Sequence, residues 1–425
     1  MNVKIRKSEI DGRIAAPPSK SYTHRALVCS ALALGVSKIH APLISDDTES
    51  TRRLLGEFGV EISGDLEQWL VKGGELRKPR SELFCAESGT TLRFMTALCA
   101  LLEGESKLTA GPTLSRRPNG PLLDGLRQLA VTSVSADGFP PITIMGTGEI
   151  RGGEVTLRGD ISSQFVSAIL IIAPLADGNV SIRLTTPLES KPYVSMTTHT
   201  QQKYGVDVDT SDDMREFHIE KQSYRPTDFA VEGDWSSASY LLAAGALAGR
   251  LSVEGLNEGS LQSDASIVGI LGEMGAHVVC SGSEIAAEMS GLSAVDVNLS
   301  DCPDLFPVVA ALCAVAEGRS ILRGIGRLRY KESDRAGAMI DGLRAMGIEA
   351  KPQRDSIVIV GGAPKGCAID PRNDHRNAMA FAILGLVAEG ETTILNAECV
   401  SKSYPEFWNA MRSSGMKLRR TDSEQ

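Results

Sequence analysis

One pattern recurs six times along the chain, and this periodicity restricts the possible folds more than any other feature of the sequence. Each copy is an apolar, helix-like run that reaches a glycine and continues into a short segment with strand-like alternation. The six glycines stand 69 to 74 residues apart, at Gly35, Gly104, Gly178, Gly249, Gly318 and Gly390. Chance matches to so short a motif would not keep a nearly constant interval. The chain is therefore predicted to consist of six repeats of about 70 residues each.

A second helix-like run lies about 25 residues further on in each repeat. It ends at Gly59, Gly205, Gly275, Gly347 and Gly415, and at Ala130 in the second repeat. Glycine just past a helix supplies the left-handed residue that ends it, so each run predicts a helix followed by a strand. Two short strands with a turn between them precede the next helix. Each repeat is thus predicted to be βαβαββ, and the fold class to be α/β.

The totals of the sequence limit the number of domains and the setting of the protein. A chain of 425 residues exceeds one ordinary core, which predicts two domains of three repeats each. The charged N-terminus is unlike a secretory signal, and the longest apolar stretch, 165–176, is interpreted as a buried helix because it is too short to cross a membrane. The eight cysteines form no CxxC pair, which is typical of reduced thiols in the cytoplasm and predicts no zinc site. The net charge of −9 argues against a nucleic-acid partner.

Basic side chains stand at the predicted helix starts, where they are least expected. The start of a helix carries partial positive charge, so Lys or Arg is unfavourable there unless an anion binds beside it. A single basic residue at such a place would be interpreted as a surface charge. Their recurrence at corresponding positions instead predicts a site for multiply charged anions. Before the first helices they are Lys20, Arg25, Arg93, His375 and Arg376; before the second helices they are Arg116, Arg117, Lys191, Arg327, Arg329, Lys331, Arg335 and Lys402.

The topology predicts where these basic residues would gather. The helix starts of three βαβαββ repeats lie at one end of a domain, so two domains facing each other would form a cationic cleft. The segment 88–91 (SGTT) and the pair Lys20-Ser21 lack the GxxxxGK spacing, which excludes a nucleoside triphosphate site. His24, His199 and His218 have no partner at ligand spacing and are interpreted as polar or packed residues.

At these positions the chain resembles the EPSP synthase family, the 3-phosphoshikimate 1-carboxyvinyltransferases. The resemblance covers the whole length, and its most specific segments are PSKSYTHRA, SGTTLR, SRRP, SSQF, SKPY, EGDWSSASY, KESDR, NDHR and SKSYP. It implies two similar domains, each with three βαβαββ units around a pseudo-threefold axis, an inside-out α/β barrel with the active site in the interdomain cleft. The domains would be 18–231, and 1–17 together with 232–425. The implied reaction moves the enolpyruvyl group of phosphoenolpyruvate to the 5-hydroxyl of shikimate 3-phosphate, in the pathway to chorismate and aromatic amino acids.

The resemblance also implies two sets of binding residues and no metal or other cofactor. Shikimate 3-phosphate would be held by Lys20, Ser21, Arg25, Ser162, Ser163, Gln164, Ser190, Tyr193, Asp304, Arg327 and Lys331. Phosphoenolpyruvate would be held by Lys20, Gly89, Arg117, Gln164, Arg335, Arg376 and Lys402. Both partners are small molecules, the protein would be a cytoplasmic monomer, and the family is the target of glyphosate, which occupies the phosphoenolpyruvate site.

The catalytic residues are assigned from the protons that must move. The sugar 5-hydroxyl needs a base and the methylene carbon of phosphoenolpyruvate needs an acid, and the elimination of phosphate reverses both roles. We assign Asp304 as the base and Glu332 as the acid, with Lys20 sharing proton transfer. A carboxylate among several cations normally has a lowered pKa, so Glu332 would need burial to act as an acid.

Three residues depart from the usual pattern of the family. Glu87 stands where Asn is common near phosphoenolpyruvate, Phe94 where Pro is common, and Arg327 where Asn is common near the shikimate phosphate. Glu87 would repel a carboxylate unless it points away or pairs with Arg93 or Arg117.

Two alternative functions share this fold. One is the enolpyruvyl transferase that acts on UDP-N-acetylglucosamine, which generally uses a loop cysteine as its acid; the corresponding loop here, 111–120, has none. The other is a non-catalytic anion-binding protein, which would be expected to lack Lys20, Asp304 or Glu332.

Overall fold

The computed structural model describes residues 1–421, which form two compact units. Pro18–Glu232 forms one of them without interruption, and we call it the continuous unit. Met1–Pro17 and the described residues from Gly233 onward form the other, which we call the composite unit. The chain therefore passes from one unit to the other at Pro17–Pro18 and again at Glu232–Gly233.

Short strands and helices alternate along residues 1–421. The strands are β1 (Asn2–Arg6), β2 (Ile10–Ala15), β3 (Gly35–His40), β4 (Glu61–Gly64), β5 (Gln68–Gly73), β6 (Leu83–Phe84), β7 (Glu103–Thr109), β8 (Thr132–Ala136), β9 (Phe139–Thr147), β10 (Gly153–Leu157), β11 (Val180–Leu184), β12 (Asp209–Thr210), β13 (Glu216–Ile219), β14 (Asp228–Ala230), β15 (Gly249–Glu254), β16 (His277–Ser281), β17 (Glu284–Glu288), β18 (Asp296–Asn298), β19 (Arg319–Arg323), β20 (Glu349–Pro352), β21 (Ser356–Val360), β22 (Ala368–Ile369), β23 (Glu391–Ile394) and β24 (Lys417–Thr421). The helices are α1 (Lys20–Leu32), α2 (Asp46–Glu57), α3 (Gly89–Cys99), α4 (Gly120–Gln128), α5 (Ser163–Ile172), α6 (Lys191–Lys203), α7 (Trp235–Ala248), α8 (Ile267–Glu273), α9 (Phe306–Cys313), α10 (Arg335–Ala345), α11 (His375–Leu384) and α12 (Phe407–Ser413).

The strands form six four-stranded sheets, one for each repeat. In the continuous unit their orders are β14-β3-β5-β4, β6-β7-β9-β8 and β10-β11-β13-β12. In the composite unit they are β2-β15-β17-β16, β18-β19-β21-β20 and β22-β23-β1-β24. In the second repeat, for example, β6 and β7 are parallel, whereas β7 pairs antiparallel with β9 and β9 with β8. The predicted α/β class and the βαβαββ repeat are confirmed.

The first two strands of the chain belong to repeats that are encoded much later. β1 lies between β23 and β24, with Val3 opposite both Ile394 and Arg420. β2 runs parallel to β15 and is the first strand of the fourth repeat. The corresponding strand of the first repeat is β14, which runs parallel to β3. The N-terminal segment thus completes the fourth and sixth repeats.

The first helix of each repeat is buried in the core of its unit. Every residue of α7 and of α11 is buried, and α5 corresponds to the apolar stretch predicted to be a buried helix. A helix without a polar face must be covered on all sides, and the small Ala, Ser and Gly side chains of α7 allow its neighbours to approach closely. None of the helices within residues 1–421 is both long and apolar enough to span a membrane.

The predicted left-handed residue ends the second helix of the first and second repeats. Its φ is +87° at Gly59, and Ala130, which stands where glycine was expected, has φ of +63°. Gly178, after the first helix of the third repeat, does not have this conformation, because α5 runs into a 3-10 turn, Ala173–Leu175, that ends it instead.

Candidate active site

Polar side chains cap most of the first helices, as their sequences predicted. Hydrogen bonds from the first turn are accepted by the side chains of Ser19, Ser88, Ser162, Asp234 and Asp374. The prediction is wrong for α9, which has no side-chain cap because a 3-10 turn, Pro303–Leu305, leads directly into it. Asp304 lies within that turn and so belongs to a different structural setting from the capping residues.

Lys20 forms an ion pair at the start of α1. Its Nζ lies 2.7 Å from Oδ2 of Asp47, and both side chains are more than four-fifths buried. Asp47 belongs to the first turn of α2 and was not among the predicted site residues. The pair therefore fixes the ammonium group of Lys20 between two helix starts.

Arg25 joins α1 to α6. Its guanidinium donates to the carbonyl of Ser21 (2.9 Å), the carbonyl of Tyr193 (2.8 Å) and Oγ1 of Thr197 (2.8 Å). It also lies over the ring of Phe94, 5.9 Å from the centroid, which gives this departure from the family pattern a packing role. Burial lowers the pKa of Arg25 to about 10. The predicted residues Ser21, Arg25 and Tyr193 are thus brought together.

Gly89 is surrounded by cationic groups at the start of α3. A Cβ at this position would overlap Nη1 of Arg93 and lie 2.8 Å from Nη1 of Arg117. The next residue, Thr90, accepts a hydrogen bond from Nε2 of Gln164 at 3.0 Å. Gly89, Arg117 and Gln164, all predicted to bind phosphoenolpyruvate, therefore lie at one place.

Three predicted serines mark the starts of the two helices of the third repeat. Ser162 Oγ accepts the backbone N–H of Gln164 at 3.3 Å, and Ser163 is the first residue of α5. Ser190 precedes α6 with a left-handed φ of +55°. The backbone is strained at Ser190, since a residue with a side chain rarely adopts this conformation.

A buried chain of hydrogen bonds connects α1, α2 and α3. Nδ1 of His24 pairs with Oγ1 of Thr51 (2.8 Å), Thr51 pairs with Oγ1 of Thr91 (2.7 Å), and Thr91 donates to Oγ of Ser88 (2.6 Å). Burial lowers the pKa of His24 well below 6.5, and the nearby charges of Lys20 and Arg25 add to the effect. His24, interpreted from sequence as an ordinary packed residue, thus belongs to the support of the helix starts that carry Lys20 and Gly89.

The composite unit carries a cluster of charges around Arg335, whose side chain is fully buried. Its guanidinium contacts Asp304 (2.7 Å), Asp374 (2.9 Å) and Glu332. Asp304 also accepts from Nη2 of Arg376 (3.0 Å) and Nζ of Lys331 (3.2 Å). We call this set the carboxylate–cation cluster: Asp304, Lys331, Glu332, Arg335, Asp374 and Arg376.

Charges within this cluster shift the pKa values of Asp304 and Arg335. Burial alone would raise the pKa of Asp304, but Arg376, Lys331 and Arg335 together hold it well below its ordinary value of 3.8. Burial opposes the charged form of Arg335, yet Asp374, Glu332 and Asp304 raise its pKa. Asp304 and Arg335 therefore stabilise each other in their charged forms.

Two other predicted residues lie on neighbouring segments of the composite unit. Lys402 is buried, and its Nζ donates to the carbonyl of Asn373 at 2.7 Å, next to Asp374. Arg327 donates to the carbonyl of Ser300 at 2.6 Å, four residues before Asp304.

The sequence interpretation missed three carboxylates because it searched the helix starts for positive charge. Asp47 pairs with Lys20 and Asp374 with Arg335. Asp264 is fully buried, accepts a hydrogen bond from Ser236, and has its pKa raised to about 6 by burial and then by the charge of Asp304. An acidic residue within a basic helix-start segment, as in NDHR, was the signal that could have identified Asp374.

The chain thus forms two groups of three βαβαββ repeats, with buried cations and carboxylates at the helix starts. The sequence model of the family described as EPSP synthase (3-phosphoshikimate 1-carboxyvinyltransferase) matches residues 5–411. The chain belongs to the EPSP synthase family.

Relatives and solved structures agree with this assignment over the whole chain. A 3-phosphoshikimate 1-carboxyvinyltransferase of Dehalococcoides mccartyi is 44% identical over 420 residues, which cover 98% of this chain and 99% of the relative. One from Methanothermobacter thermautotrophicus is 43% identical over 425 residues, with 98% and 99% covered. The solved EPSP synthase of Acinetobacter baumannii superposes with a TM-score of 0.83 at 26% identity, covering 99% of this chain and 100% of that one.

Proposed function

We propose that this chain transfers the enolpyruvyl group of phosphoenolpyruvate to the 5-hydroxyl of shikimate 3-phosphate and releases phosphate. The observation that carries the proposal is the carboxylate–cation cluster, in which Asp304 is held by Lys331, Arg335 and Arg376. Buried cations in such numbers suit substrates that each bear about three negative charges and must be brought together against their repulsion.

The contacts within each unit support the assignment of groups to substrates. In the continuous unit, Ser21, Arg25 and Tyr193 are assigned to shikimate 3-phosphate. Gly89 and Arg117 are assigned to phosphoenolpyruvate. In the composite unit, Arg335, Arg376 and Lys402 are assigned to phosphoenolpyruvate, and Asp304, Arg327 and Lys331 to shikimate 3-phosphate. The remaining residues assigned to shikimate 3-phosphate are Lys20, Ser162, Ser163, Gln164 and Ser190. Lys20 and Gln164 are assigned to both substrates, and Arg117 is assigned to phosphoenolpyruvate alone.

Asp304 acts as the base in this proposal, although its pKa is low in the structure. The low value is caused by three cations that also suit the anionic groups of the substrates. When phosphate and carboxylate groups take up part of that positive charge, less of it stabilises the ionised form of Asp304. Its pKa then rises, and Asp304 becomes able to accept the proton of the 5-hydroxyl.

The same argument applies to Glu332, which is assigned as the acid. Its carboxylate contacts Arg335, a pairing that favours the ionised form. Competition of the substrate for Arg335 would allow Glu332 to hold the proton that it gives to the methylene carbon. Lys20, buried beside Asp47, shares in proton transfer. In the elimination step the two roles are reversed: Glu332 takes a proton from the methyl carbon, and Asp304 gives its proton to the departing phosphate.

The decisive experiment measures phosphate release from phosphoenolpyruvate with each acceptor. We expect release that depends on shikimate 3-phosphate and none with UDP-N-acetylglucosamine. Release with the nucleotide sugar alone would favour the sister enzyme, and ligand binding without release would favour the non-catalytic anion-binding protein.

We further propose that the continuous and composite units are the two predicted domains, 18–231, and 1–17 with 232–425. The boundary between the units, at Glu232–Gly233, supports this division. A cytoplasmic setting is supported by the eight cysteines, all of them free thiols within the described chain. One chain supplies every assigned group, which supports a monomer as the active form.

A further inference from the structure

Glu87, the residue just before the cap of α3, directs its carboxylate toward a neighbouring loop. It accepts the backbone N–H of Leu114 (2.8 Å), the backbone N–H of Thr113 (3.2 Å) and the hydroxyl of Thr113. These three hydrogen bonds turn the carboxylate of Glu87 toward the backbone of Thr113 and Leu114.

The segment held in this way is 111–117, which we call the arginine loop. The loop is tied a second time to the segment before α3, because the N–H of Gly111 donates to the carbonyl of Ala86 at 2.7 Å. Its 3-10 turn, Leu114–Arg116, begins where Glu87 binds, and the N–H of Arg117 closes the turn on the carbonyl of Leu114 at 3.0 Å. A carboxylate that accepts the N–H groups at the start of such a turn fixes its direction.

The side chain of Arg117, which follows this turn, extends to the start of α3. Its guanidinium lies against Gly89, two residues after Glu87 in the chain. The same acidic residue thus anchors both the loop that carries Arg117 and the helix start that Arg117 faces.

We propose that Glu87 is a positioning residue that sets Arg117 for phosphoenolpyruvate; this rests on the proposed function, in which Arg117 binds that substrate. Two effects of Glu87 oppose each other. Its negative charge, taken alone, weakens binding of an anion nearby, whereas its hydrogen bonds place a cation for that anion. Three hydrogen bonds from partly buried donors hold the loop that carries Arg117, and this positioning effect outweighs the repulsion.

Glu87→Gln separates the two effects because it removes the charge and keeps the size. We expect the KM for phosphoenolpyruvate to rise about tenfold or more, the range for loss of a charge-assisted hydrogen bond, while kcat and the KM for shikimate 3-phosphate stay within about twofold. Glu82→Gln is the matched control, since Glu82 is an exposed glutamate whose partner is Lys107. An unchanged or lower KM for phosphoenolpyruvate in Glu87→Gln would overturn the proposal.

A second readout follows the loop without using activity. Arg116 is exposed, so trypsin can cut the chain after Arg116 once the loop loosens. Trypsin should therefore cut Glu87→Gln faster than it cuts the wild type or Glu82→Gln. The comparison is made between proteins that have the same thermal unfolding midpoint. Equal cutting rates would overturn the proposal. If Glu87→Gln fails to fold, Thr113→Val, which removes one donor to the same carboxylate, provides the smaller change in the same direction.

Arg117→Ala distinguishes failure of this inference from failure of the proposed function. A large rise in the KM for phosphoenolpyruvate in Arg117→Ala, combined with none in Glu87→Gln, overturns only the positioning role. No rise in Arg117→Ala overturns the assignment of Arg117 and the positioning role with it. When both variants raise the KM, the double variant should show less than the sum of the two effects, because both act through one guanidinium.

Discussion

Lys20 is the residue whose loss should separate catalysis from stability most clearly. Lys20→Met removes a cation that the proposal places against both substrates, which typically costs about 3 kcal/mol of transition-state stabilisation, or about 100-fold in turnover. Asp47 loses its partner at the same time, so the thermal midpoint should fall by a few degrees only. Steady-state kinetics and thermal unfolding measure the two effects.

Lys38→Met is the control for this change. Lys38 lies half exposed on β3 and pairs with Asp228 at 3.5 Å, away from the helix starts. It should keep full turnover. If Lys20→Met unfolds, Lys20 has a structural role. If Lys20→Met has the same turnover as Lys38→Met, Lys20 is dispensable for catalysis.

Gly89 is predicted to discriminate between phosphoenolpyruvate and glyphosate. In Gly89→Ala the new methyl group would push against the guanidinium ends of Arg93 and Arg117, which are flexible, so the fold should persist while the cations move. The KM for phosphoenolpyruvate should rise, and the inhibition constant of glyphosate should rise more, because the inhibitor is the longer molecule. Inhibition kinetics with phosphoenolpyruvate varied provide the measurement.

Gly56→Ala gives the comparison for that substitution. Gly56 lies in α2 with open space around its Cα, so alanine should leave both constants unchanged. Inhibition of the wild type that is not competitive with phosphoenolpyruvate would refute the site assignment.

Individual residues show what the sequence could and could not predict. The recurrence of basic residues at helix starts marked Lys20, Arg117 and Arg335 as candidate anion-binding residues, because the helix dipole makes their placement unfavourable without an anion. The sequence could not identify Asp47 as the partner of Lys20, since the two residues lie on different helices and no local sequence pattern predicts a contact between them. The contact is a product of how α1 and α2 pack.

At the scale of elements, the hydrogen-bonded chain from His24 to Ser88 predicts a dependence of stability on pH. Burial keeps His24 neutral in the folded state, whereas the unfolded chain binds a proton below about pH 6.5. The folded state should therefore lose up to about 1.4 kcal/mol for each unit by which the pH falls below this value. Urea unfolding between pH 8 and about pH 5.5 measures the loss.

His24→Asn should remove this part of the pH dependence, because Asn does not titrate and can still bond to Thr51. His218→Asn, at an exposed position, should retain it. The same slope in His24→Asn as in wild type would show that another group is responsible.

The elements themselves were predicted unevenly. The βαβαββ order followed from the period and from the glycines, because helix stops are local features of the chain. The start of α9 was predicted less well, since a 3-10 turn, Pro303–Leu305, leads into this helix in place of a side-chain cap. Sheet partners encoded hundreds of residues apart, such as β1 and β23, leave no local pattern at all.

At the scale of the whole molecule, the two units should differ in their ability to fold alone. A fragment of residues 18–232 contains every strand of its three sheets and should unfold cooperatively in urea. A fragment of residues 233–425 lacks β1 and β2, so one sheet loses an inner strand and the core loses Val3 and Ile5, both fully buried. It should show no cooperative transition until a peptide of residues 1–17 is added.

A peptide in which Val3 and Ile5 are replaced by serine is the control for this complementation. It should fail to restore the transition, because polar side chains at these positions cannot be buried in the core without cost. Cooperative unfolding of residues 233–425 without any peptide would contradict the prediction.

The position of β1 has a consequence for how the protein is made. Among the strands of residues 1–421, β1 is the first to leave the ribosome, and its neighbours β23 and β24 are the last two. Asn2 lies opposite Thr421, so the described ends of the chain stand on adjacent strands and are close enough to be joined by a short linker. A circular permutant that begins at Gly233 and continues through the joined ends would keep every strand pairing and pass between the units only once. In the natural order, β2 can pair once β15 has been made, but β1 must wait for β23 and β24 at the far end of the described chain.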